Sequence, residues 1–561
     1  KIMNIKKLIL SLSVATLSLT ASAQGVLSGG QVSGNIQLDG QVSRADTLIG
    51  SQDVAEKMLM NARADILYTN GNFSAGLRFE AYQNPLLGFD AQWKGVGVAN
   101  YFVAYDNGKL GVTAGHFYEQ FGNGMILRAY EDRFLGLDNA LQGFNVKYRP
   151  VEGVTLKGLV GRQRCYWGFG DGLVRGADAE VNLNSVIKPF ADSKTRLTFG
   201  AAFVSKYEAV TSSVDASMPG YKLDIPANVG AASVRMDLSH GGWGLQAEYA
   251  RKSQDPSMLN GYIYRPGEAL FLSASYSQKG FSANVQAKRV DNMGFKSMRE
   301  PNDASGQQLY INYIPAITKQ HTYAFLTLYP YATQTTGEMG ITADVMYKIK
   351  KGTLLGGKYG TDLHFNASAI NAIAIDSIGG AGTYGYESSF FGTGDPYYMD
   401  ATLEIAHKIN ASNKFTVVGG YIYFDPIVEG HVGDPVKNIV LIGDYTWKVN
   451  KKNVLRFEAE WLKSNSHYDA EEHNDKRYGD WIMGMVEWNF RSNYFLCFSD
   501  QYNYANGNGA NYPQLTVGYT YGSTRMQVGY GKQREGIICI GGVCRPVPAS
   551  NGLTFSLTTS F

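Results

Sequence analysis

Apolar and polar residues alternate with a period of two along almost the whole chain, and this pattern constrains the fold more than any other feature. In residues 454–462, Phe457 and Trp461 would share one face of a strand, while Glu458 and Glu460 would share the other. About two dozen such segments follow one another, with no helical segment of comparable strength between them. So many amphipathic strands in one chain predict a single large, closed, antiparallel β-barrel.

The connections between these segments alternate in length. Short turns, several of them Asn-Gly or Gly-rich pairs, occur for example at 70–71 and 522–523. Longer polar connections lie between them, for example at 118–141, 367–395 and 534–550. Outer-membrane barrels have short periplasmic turns and long extracellular loops, so this asymmetry favours a membrane barrel.

The predicted strand number depends on one pair of segments. The alternation yields about 24 strands, or 26 if residues 308–315 and 322–330 form a further hairpin. The number must be even for both ends of the barrel domain to lie in the periplasm.

The first residues have the pattern of an export signal. Lys6 and Lys7 precede an apolar stretch over 8–21, and Ala21 and Ala23 give a small-x-small cleavage site. We therefore predict a signal peptide at 1–23 and an outer-membrane barrel domain at 24–561. With only about five residues before the first strand, we expect neither a separate plug domain nor a TonB-type coupling segment.

The last segment predicts how the barrel closes. Leu553, Phe555, Leu557 and Phe561 would share one face of a terminal strand. A strand that ends on an aromatic residue resembles the signal read by the outer-membrane insertion machinery, which would make Phe561 the insertion signal. This strand must pair with the first one, because a barrel leaves no strand edge unpaired.

Composition agrees with a barrel in the outer membrane of a Gram-negative cell. The chain has 65 Gly, 37 Tyr and 27 Phe residues, as suits a surface between lipid, headgroups and water. After Ala23 there is no apolar run of about 18 residues, so no membrane helix is predicted. The net charge of +2 argues against a nucleic-acid partner. The expected partners are outer-membrane lipid, lipopolysaccharide and, during biogenesis, the insertion machinery.

Two cysteines near the C-terminus predict a disulfide. Four residues, two of them glycines, separate Cys539 from Cys544, so the chain can turn and bring the two Cα atoms to disulfide distance. A metal site needs more ligands than this loop offers, and a redox motif needs a shorter spacing. We interpret Cys165 and Cys497 as packed thiols.

The connection that begins at residue 118 is the densest polar and aromatic stretch. If it folds into the lumen, its opposed carboxylates and guanidiniums would form a pore constriction with a transverse field. The alternative is a solvent-exposed external loop, although apolar residues such as Phe121 and Ile126 favour burial. The charged residues are Glu119, Arg128, Glu131, Asp132, Arg133 and Asp138.

A second cluster of potential ligands crowds one external loop. It could bind a divalent cation, but such a cluster is more often a solvated loop, so we predict no metal site. The eight histidines are too scattered to nominate a catalytic set, and we expect neither catalysis nor a cofactor. The weak metal candidates are His467, Asp469, Glu471, Glu472, His473 and Asp475.

Three stretches together are similar to one known family. They are residues 117–122 with 128–133, residues 312–323, and residues 539–552 around the two cysteines. They resemble a Bacteroidota family of porin-like outer-membrane β-barrel proteins of unassigned function. The resemblance implies location and barrel fold, and it transfers no activity.

Two functional classes follow from these expectations. The first is a porin-like passive or gated channel whose lumen is narrowed by inward-folded loops. The second is a non-catalytic structural or assembly subunit of a larger outer-membrane complex, with other outer-membrane proteins as partners. A barrel of this width would breach the permeability barrier if it were empty, so its own loops or a partner must close it.

Overall fold

The computed structural model describes residues 29–211, 213–216, 219–301, 308–378, 385–467, 475–505, 509–540 and 543–561. At 538–540, 543 and 544 it describes the backbone alone. Apart from three short ribbons, the strands of this part of the chain form one sheet of 24 strands. The strands are β1 Gln31–Ser43, β2 Leu59–Asn70, β3 Phe73–Tyr82, β4 Gly95–Asp106, β5 Leu110–Phe117, β6 Leu141–Tyr148, β7 Val154–Cys165, β8 Gly168–Asn182, β9 Thr195–Tyr207, β10 Asn228–His240, β11 Trp243–Lys252, β12 Gly267–Gln278, β13 Phe281–Asp291, β14 Gly337–Ile349, β15 Thr361–Ser377, β16 Tyr386–Lys408, β17 Asn413–Phe424, β18 Val436–Asn450, β19 Asn453–Ser464, β20 Trp481–Phe490, β21 Tyr494–Asn503, β22 Gln514–Tyr521, β23 Thr524–Gln533 and β24 Ser550–Ser560.

The sheet closes on itself. Each strand pairs antiparallel with the next, and β1 pairs with β24, with Asn35 opposite Ser560 and Ser43 opposite Gly552. Closure removes both sheet edges, so every strand has two hydrogen-bonded neighbours. The prediction of a closed antiparallel barrel is confirmed, and so is the pairing of the last strand with the first.

The alternative count of 26 strands is wrong. Residues 308–315 and 322–330 form no hairpin; they run as irregular chain between β13 and β14. The reason is their side chains: Ile311, Phe325 and Leu328 are fully or almost fully buried and pack into a core. A membrane strand would have to expose every second one of its side chains to lipid.

The connections largely alternate in length as the sequence predicted, with differences at both ends of the barrel. At the short-turn end, the β8–β9 connection runs over 183–194 and the β14–β15 connection over 350–360, so neither is a tight turn. The β7–β8 connection at the long-connection end is only a two-residue turn at Tyr166 and Trp167. Residues 367–395, expected as a loop, belong largely to β15 and β16, whose pairing reaches Ser377 opposite Tyr386. Register shifts between Ile370 and Ile375 interrupt the alternation there, and this hides the strands from a period-two pattern.

Short elements occupy the connections. A helical turn spans Leu183–Val186, and 3₁₀ turns span Ala91–Trp93, Lys188–Phe190, Met258–Asn260 and Pro426–Glu429. Three two-stranded ribbons pair Gln120–Phe121 with Leu127–Arg128, Glu131–Asp132 with Leu137–Asp138, and Gly536–Ile540 with Val543–Val547. Among the described residues, no helix is both long and apolar enough to cross a membrane.

The two faces of the barrel differ as the alternation predicts. In β19, Phe457 and Trp461 are exposed on the outside, whereas Glu458 and Glu460 are buried inside. The outside of the barrel is therefore apolar while its charged groups face inward, which is the reverse of a soluble protein.

The core of the molecule lies inside the barrel. Residues 118–140, 292–301 and 308–336 contact inward-facing wall residues, in turn Arg164, Lys206 and Glu460, which places these segments in the lumen. We call these three segments the lumenal plug. Most of its buried apolar side chains, among them Phe121, Met125 and Phe325, form one cluster with the wall, and Leu135, Leu137 and Tyr313 form a smaller one.

Candidate functional site: the lumenal plug and the cavity beside it

The first part of the plug, residues 118–140, is held against the wall through Asp138. Its carboxylate accepts hydrogen bonds from Arg164 at 2.6 Å, Arg78 at 3.0 Å and the Tyr118 hydroxyl at 2.9 Å. Burial raises the pKa of Asp138, but the guanidiniums of Arg164 and Arg78 outweigh burial and hold the pKa below its usual range. The carboxylate is therefore charged and holds the loop against β3 and β7.

The other charged residues of this loop have separate partners. Glu131 binds Arg63 and Arg78 of the wall, the latter at 3.2 Å, while Glu119 binds Lys157 at 2.7 Å. Asp132 accepts hydrogen bonds from the backbone N–H groups of Phe134 and Leu135, so it stabilises its own turn.

The two remaining cations of this loop pair less fully. Arg133 donates to Gln37 of β1 at 2.8 Å, and its side chain stays 38% exposed. The Arg128 guanidinium lies 4.3 Å above the ring of Tyr130.

The segment 308–336 of the plug, which together with 292–301 we call its second part, crosses the lumen to the opposite wall. The backbone N–H groups of Ala324 and Phe325 donate to Glu460 of β19 at 2.9 and 2.8 Å. His321 lies 2.8 Å from Asp400 of β16. Near its start, the Pro315 carbonyl accepts a hydrogen bond from Lys288 of β13 at 2.8 Å. The segment is therefore anchored on several strands around the circumference.

The two parts of the plug also bind each other. The Arg128 N–H donates to the Ile311 carbonyl at 2.8 Å, and the Asn312 amide donates to the Met125 carbonyl at 2.9 Å. The Asn139 amide donates to the Tyr313 hydroxyl at 2.5 Å. The plug is thus one packed body rather than two independent loops.

In the described part of the chain, two cavities lie between the plug and the wall, the larger along β22, β23, β24 and β1 and the smaller along β23, β24, β1, β2 and β3. The larger has a volume of about 920 Å³ and the smaller about 590 Å³. They adjoin each other, because they share five lining residues. The shared residues are Gln41, Gln527, Gln533, Val547 and Thr554.

The six predicted constriction residues all lie in the lumenal loop, but they do not form one ring. Arg128 lines the larger cavity, whereas Glu119, held by Lys157, lines neither. Their function as a pore constriction stays a prediction. The four that line the smaller cavity are Glu131, Asp132, Arg133 and Asp138.

Sequence reasoning did not identify the wall residues that hold the plug. Glu460, Asp400 and Lys288 could be assigned to the lumenal face from the alternation alone. Which loop each of them binds is a long-range contact, and a period-two pattern carries no information about it.

The predicted metal candidates lie mainly outside the described residues, at Asp469, Glu471, Glu472 and His473. Of the two that are described, His467 is exposed and Asp475 pairs with Arg477 at 2.7 Å. In the described part of the chain, no three His, Cys, Asp or Glu side chains are grouped as a metal site.

The remaining sequence predictions concern the two ends of the chain and its four cysteines. The signal peptide at 1–23 lies outside the described residues. Cys539 and Cys544 are directly opposite in the backbone pairing of their ribbon, and their side chains are not among those described. Cys165 and Cys497 are both half-buried. Phe561 exchanges two backbone hydrogen bonds with Gly34, each of 3.0 Å.

Residues 4–561 match DUF6029, a family of unknown function. No curated protein matches the chain. Among solved structures, the ferric enterobactin receptor PfeA from Pseudomonas aeruginosa, in complex with BCV-L6, has 13% identity and a TM-score of 0.43, over 95% of this chain and 81% of that chain. The P pilus usher PapC translocation pore has 10% identity and a TM-score of 0.41, over 94% and 98%. A BenF-like porin from Pseudomonas fluorescens Pf-5 has 12% identity and a TM-score of 0.33, over 70% and 93%.

Proposed function

Because the chain belongs to DUF6029, a family of unknown function, we propose its function from its own barrel: a porin-like channel of the outer membrane, passive or gated, that is narrowed by the lumenal plug. The apolar outer surface supports the location. Aromatic side chains cluster at the short-turn end. The ring centroids of Trp243 and Tyr276 are 4.7 Å apart there, and so are those of Tyr494 and Tyr519. Rings in such a girdle suit the boundary between lipid and headgroups.

One observation carries the channel proposal: the plug does not fill the lumen along the closing strands. Many of the side chains that β23, β24 and β1 present there are small or uncharged and polar, such as Gln41, Gln527 and Thr554. The charged ones on these strands are Asp39, Arg525 and Lys532. Two adjoining cavities of about 920 and 590 Å³ occupy this side. A hydrated solute needs a polar path of this kind, because each lost water contact must be replaced by a protein hydrogen bond.

The test is the single-channel conductance of the purified protein in planar bilayers. Wild type should conduct far less than an open cylinder of 24 strands. Replacing residues 122–136 by a short Gly-Ser linker should raise the conductance, and it keeps Asp138 with its arginine partners. Heat-dependent electrophoretic migration would confirm that the variant barrel is folded. A wild type that conducts like a wide pore would contradict the plug, and no current from either protein would refute the channel.

The packed lumen also favours the second candidate, a non-catalytic structural or assembly subunit of a larger outer-membrane complex. Phe121, Met125 and Phe325 are almost fully buried inside the barrel. A barrel that is sealed by its own chain can act as a membrane anchor without a permeant solute. This candidate predicts no current from the wild type or the linker variant, together with specific co-purification of other outer-membrane proteins.

A further inference from the structure

The larger cavity, which we call the chamber, carries charge of one sign. Among the described residues, four cationic side chains and no Asp or Glu line it. The smaller cavity differs, because five carboxylates and four guanidiniums line it together. The cations of the chamber are Arg128, Lys319, Lys532 and Arg534.

Most of these cations lack a carboxylate partner among the described residues. Lys532 pairs with Asp46 at 2.9 Å, but Arg128, Lys319 and Arg534 form no ion pair there. Internal charges are normally paired, since water no longer compensates them. Three unpaired cations beside one cavity therefore leave a positive potential inside it.

Among these three cations, Arg534 shows most clearly the lack of a carboxylate partner. Its guanidinium donates to the Gln501 side chain at 3.2 Å and to the Glu535 carbonyl at 3.4 Å. Burial, followed by the nearby charge of Arg477, lowers the pKa of Arg534 to about 10. The side chain remains charged at neutral pH, and an anion beside it would relieve the same electrostatic penalty.

The neutral lining of the chamber suits a hydrated anion. Side-chain amides both donate and accept hydrogen bonds, so they can replace water around a charged solute and its polar substituents. Tyr512 adds a phenolic hydroxyl to the lining. The amides that line the chamber belong to Gln41, Gln320, Gln501, Gln514, Gln527 and Gln533.

We infer that the chamber selects small polar anions, inorganic or carboxylate-bearing, over cations, and that Arg128, Lys319 and Arg534 provide this selectivity. The inference rests on the proposed channel function, because selectivity in permeation requires a permeation path. It names the class of solute that the channel would pass.

The reversal potential in a potassium chloride gradient tests the inference. Wild type should favour chloride over potassium by about threefold or more. The double variant Lys319→Gln/Arg534→Gln should bring the ratio close to about one, because it removes two of the unpaired charges. Lys319→Gln alone should shift the ratio in the same direction. Because Lys319 lies on the surface of the plug, this single substitution disturbs little packing. The matched control is Lys351→Gln in an exposed turn, which should leave the ratio unchanged. A conducting wild type with no preference, or with a preference for potassium, would overturn the inference and leave the channel function standing.

A binding measurement separates the two proposals. Citrate should raise the unfolding temperature of the detergent-solubilised wild type in a concentration-dependent manner, because it binds the folded state alone. The double variant should lose this stabilisation, while Lys351→Gln should keep it. No stabilisation of the wild type would overturn the anion site. Absence of current together with citrate stabilisation would instead refute the channel function and support the anion site.

Discussion

The carboxylate of Asp138 accepts a hydrogen bond from the guanidinium of Arg164 at 2.6 Å, and this contact joins the lumenal plug to the barrel wall. Their side chains are only 5% and 3% exposed, so water contributes little to either charge. Removing one partner of a buried pair is much more harmful than removing an exposed pair, because the remaining charge loses its compensation.

Asp138→Asn should therefore destabilise the folded protein. The substitution keeps the shape of the side chain but leaves Arg78 and Arg164 short of one negative charge. We expect the free energy of unfolding to fall by about 3–5 kcal/mol, the range for breaking a buried pair. Urea unfolding in detergent measures it. Glu152→Gln removes a carboxylate from an exposed turn and serves as the control; equal stabilities of the two variants would contradict the buried network.

The same carboxylate predicts a pH dependence. The pKa of Asp138 lies below its usual range, because the attraction of Arg164 and Arg78 outweighs the effect of burial. A depressed pKa stabilises the folded state above the unfolded pKa of about 3.9, and this contribution is lost as the pH falls through the folded pKa. The stability difference between wild type and Asp138→Asn should stay constant near neutral pH and shrink below about pH 4. A difference that grows on acidification would refute the assignment.

Two adjacent residues in the middle of β23 test which face meets lipid. Val528 points outward and is exposed, while Gln527 lines both cavities. Val528→Arg should lower the unfolding free energy by about 2–4 kcal/mol, as expected for a cation near the bilayer midplane. Gln527→Arg places the same side chain in the polar lumen and should lower it far less. Equal effects in urea titrations of the reconstituted protein would mean that both faces meet the same solvent. A larger effect for Gln527→Arg would mean that the two faces are reversed.

The strands of the barrel wall could be predicted from the sequence, but the contacts of the lumenal plug could not. The alternation assigns Phe457 outward and Glu460 inward because neighbouring side chains on a strand face opposite sides. It fails between Ile370 and Ile375, where register shifts break the period. The buried apolar side chains of the plug, such as Phe121, indicated that a loop folds inward.

The partners inside the lumen could not be predicted in the same way. Glu460 binds the backbone of Phe325, which is 135 residues away in the sequence. The contact uses a backbone N–H group, which every residue except proline possesses, so no residue type in the plug predicts it. That no carboxylate is found among the described residues lining the chamber also depends on which strands meet the plug, and only the folded chain shows that.

The backbone register around the two C-terminal cysteines supports a disulfide between them. Cys539 lies directly opposite Cys544 in an antiparallel ribbon, where paired Cβ atoms approach closely. Mass spectrometry of non-reduced peptides from exported protein should show these two residues joined, with Cys165 and Cys497 as thiols. Two alkylatable thiols at Cys539 and Cys544 in the exported protein would contradict the prediction.

Glu460 tests whether the plug limits the current. Its carboxylate accepts the N–H groups of Ala324 and Phe325, both within the segment that crosses the lumen. Glu460→Ala leaves these two N–H groups without acceptors, so the segment should detach more often and the conductance should rise or become noisier. Glu460→Gln keeps one acceptor oxygen and should have a smaller effect. Glu487→Ala is the matched control, because Glu487 shares the lumenal face and accepts its hydrogen bond from the Asn489 side chain and not from the plug. A similar increase for Glu460→Ala and Glu487→Ala would mean that lumenal charge, and not plug attachment, determines the current. No change for Glu460→Ala in a conducting protein would mean that this part of the plug does not lie in the path.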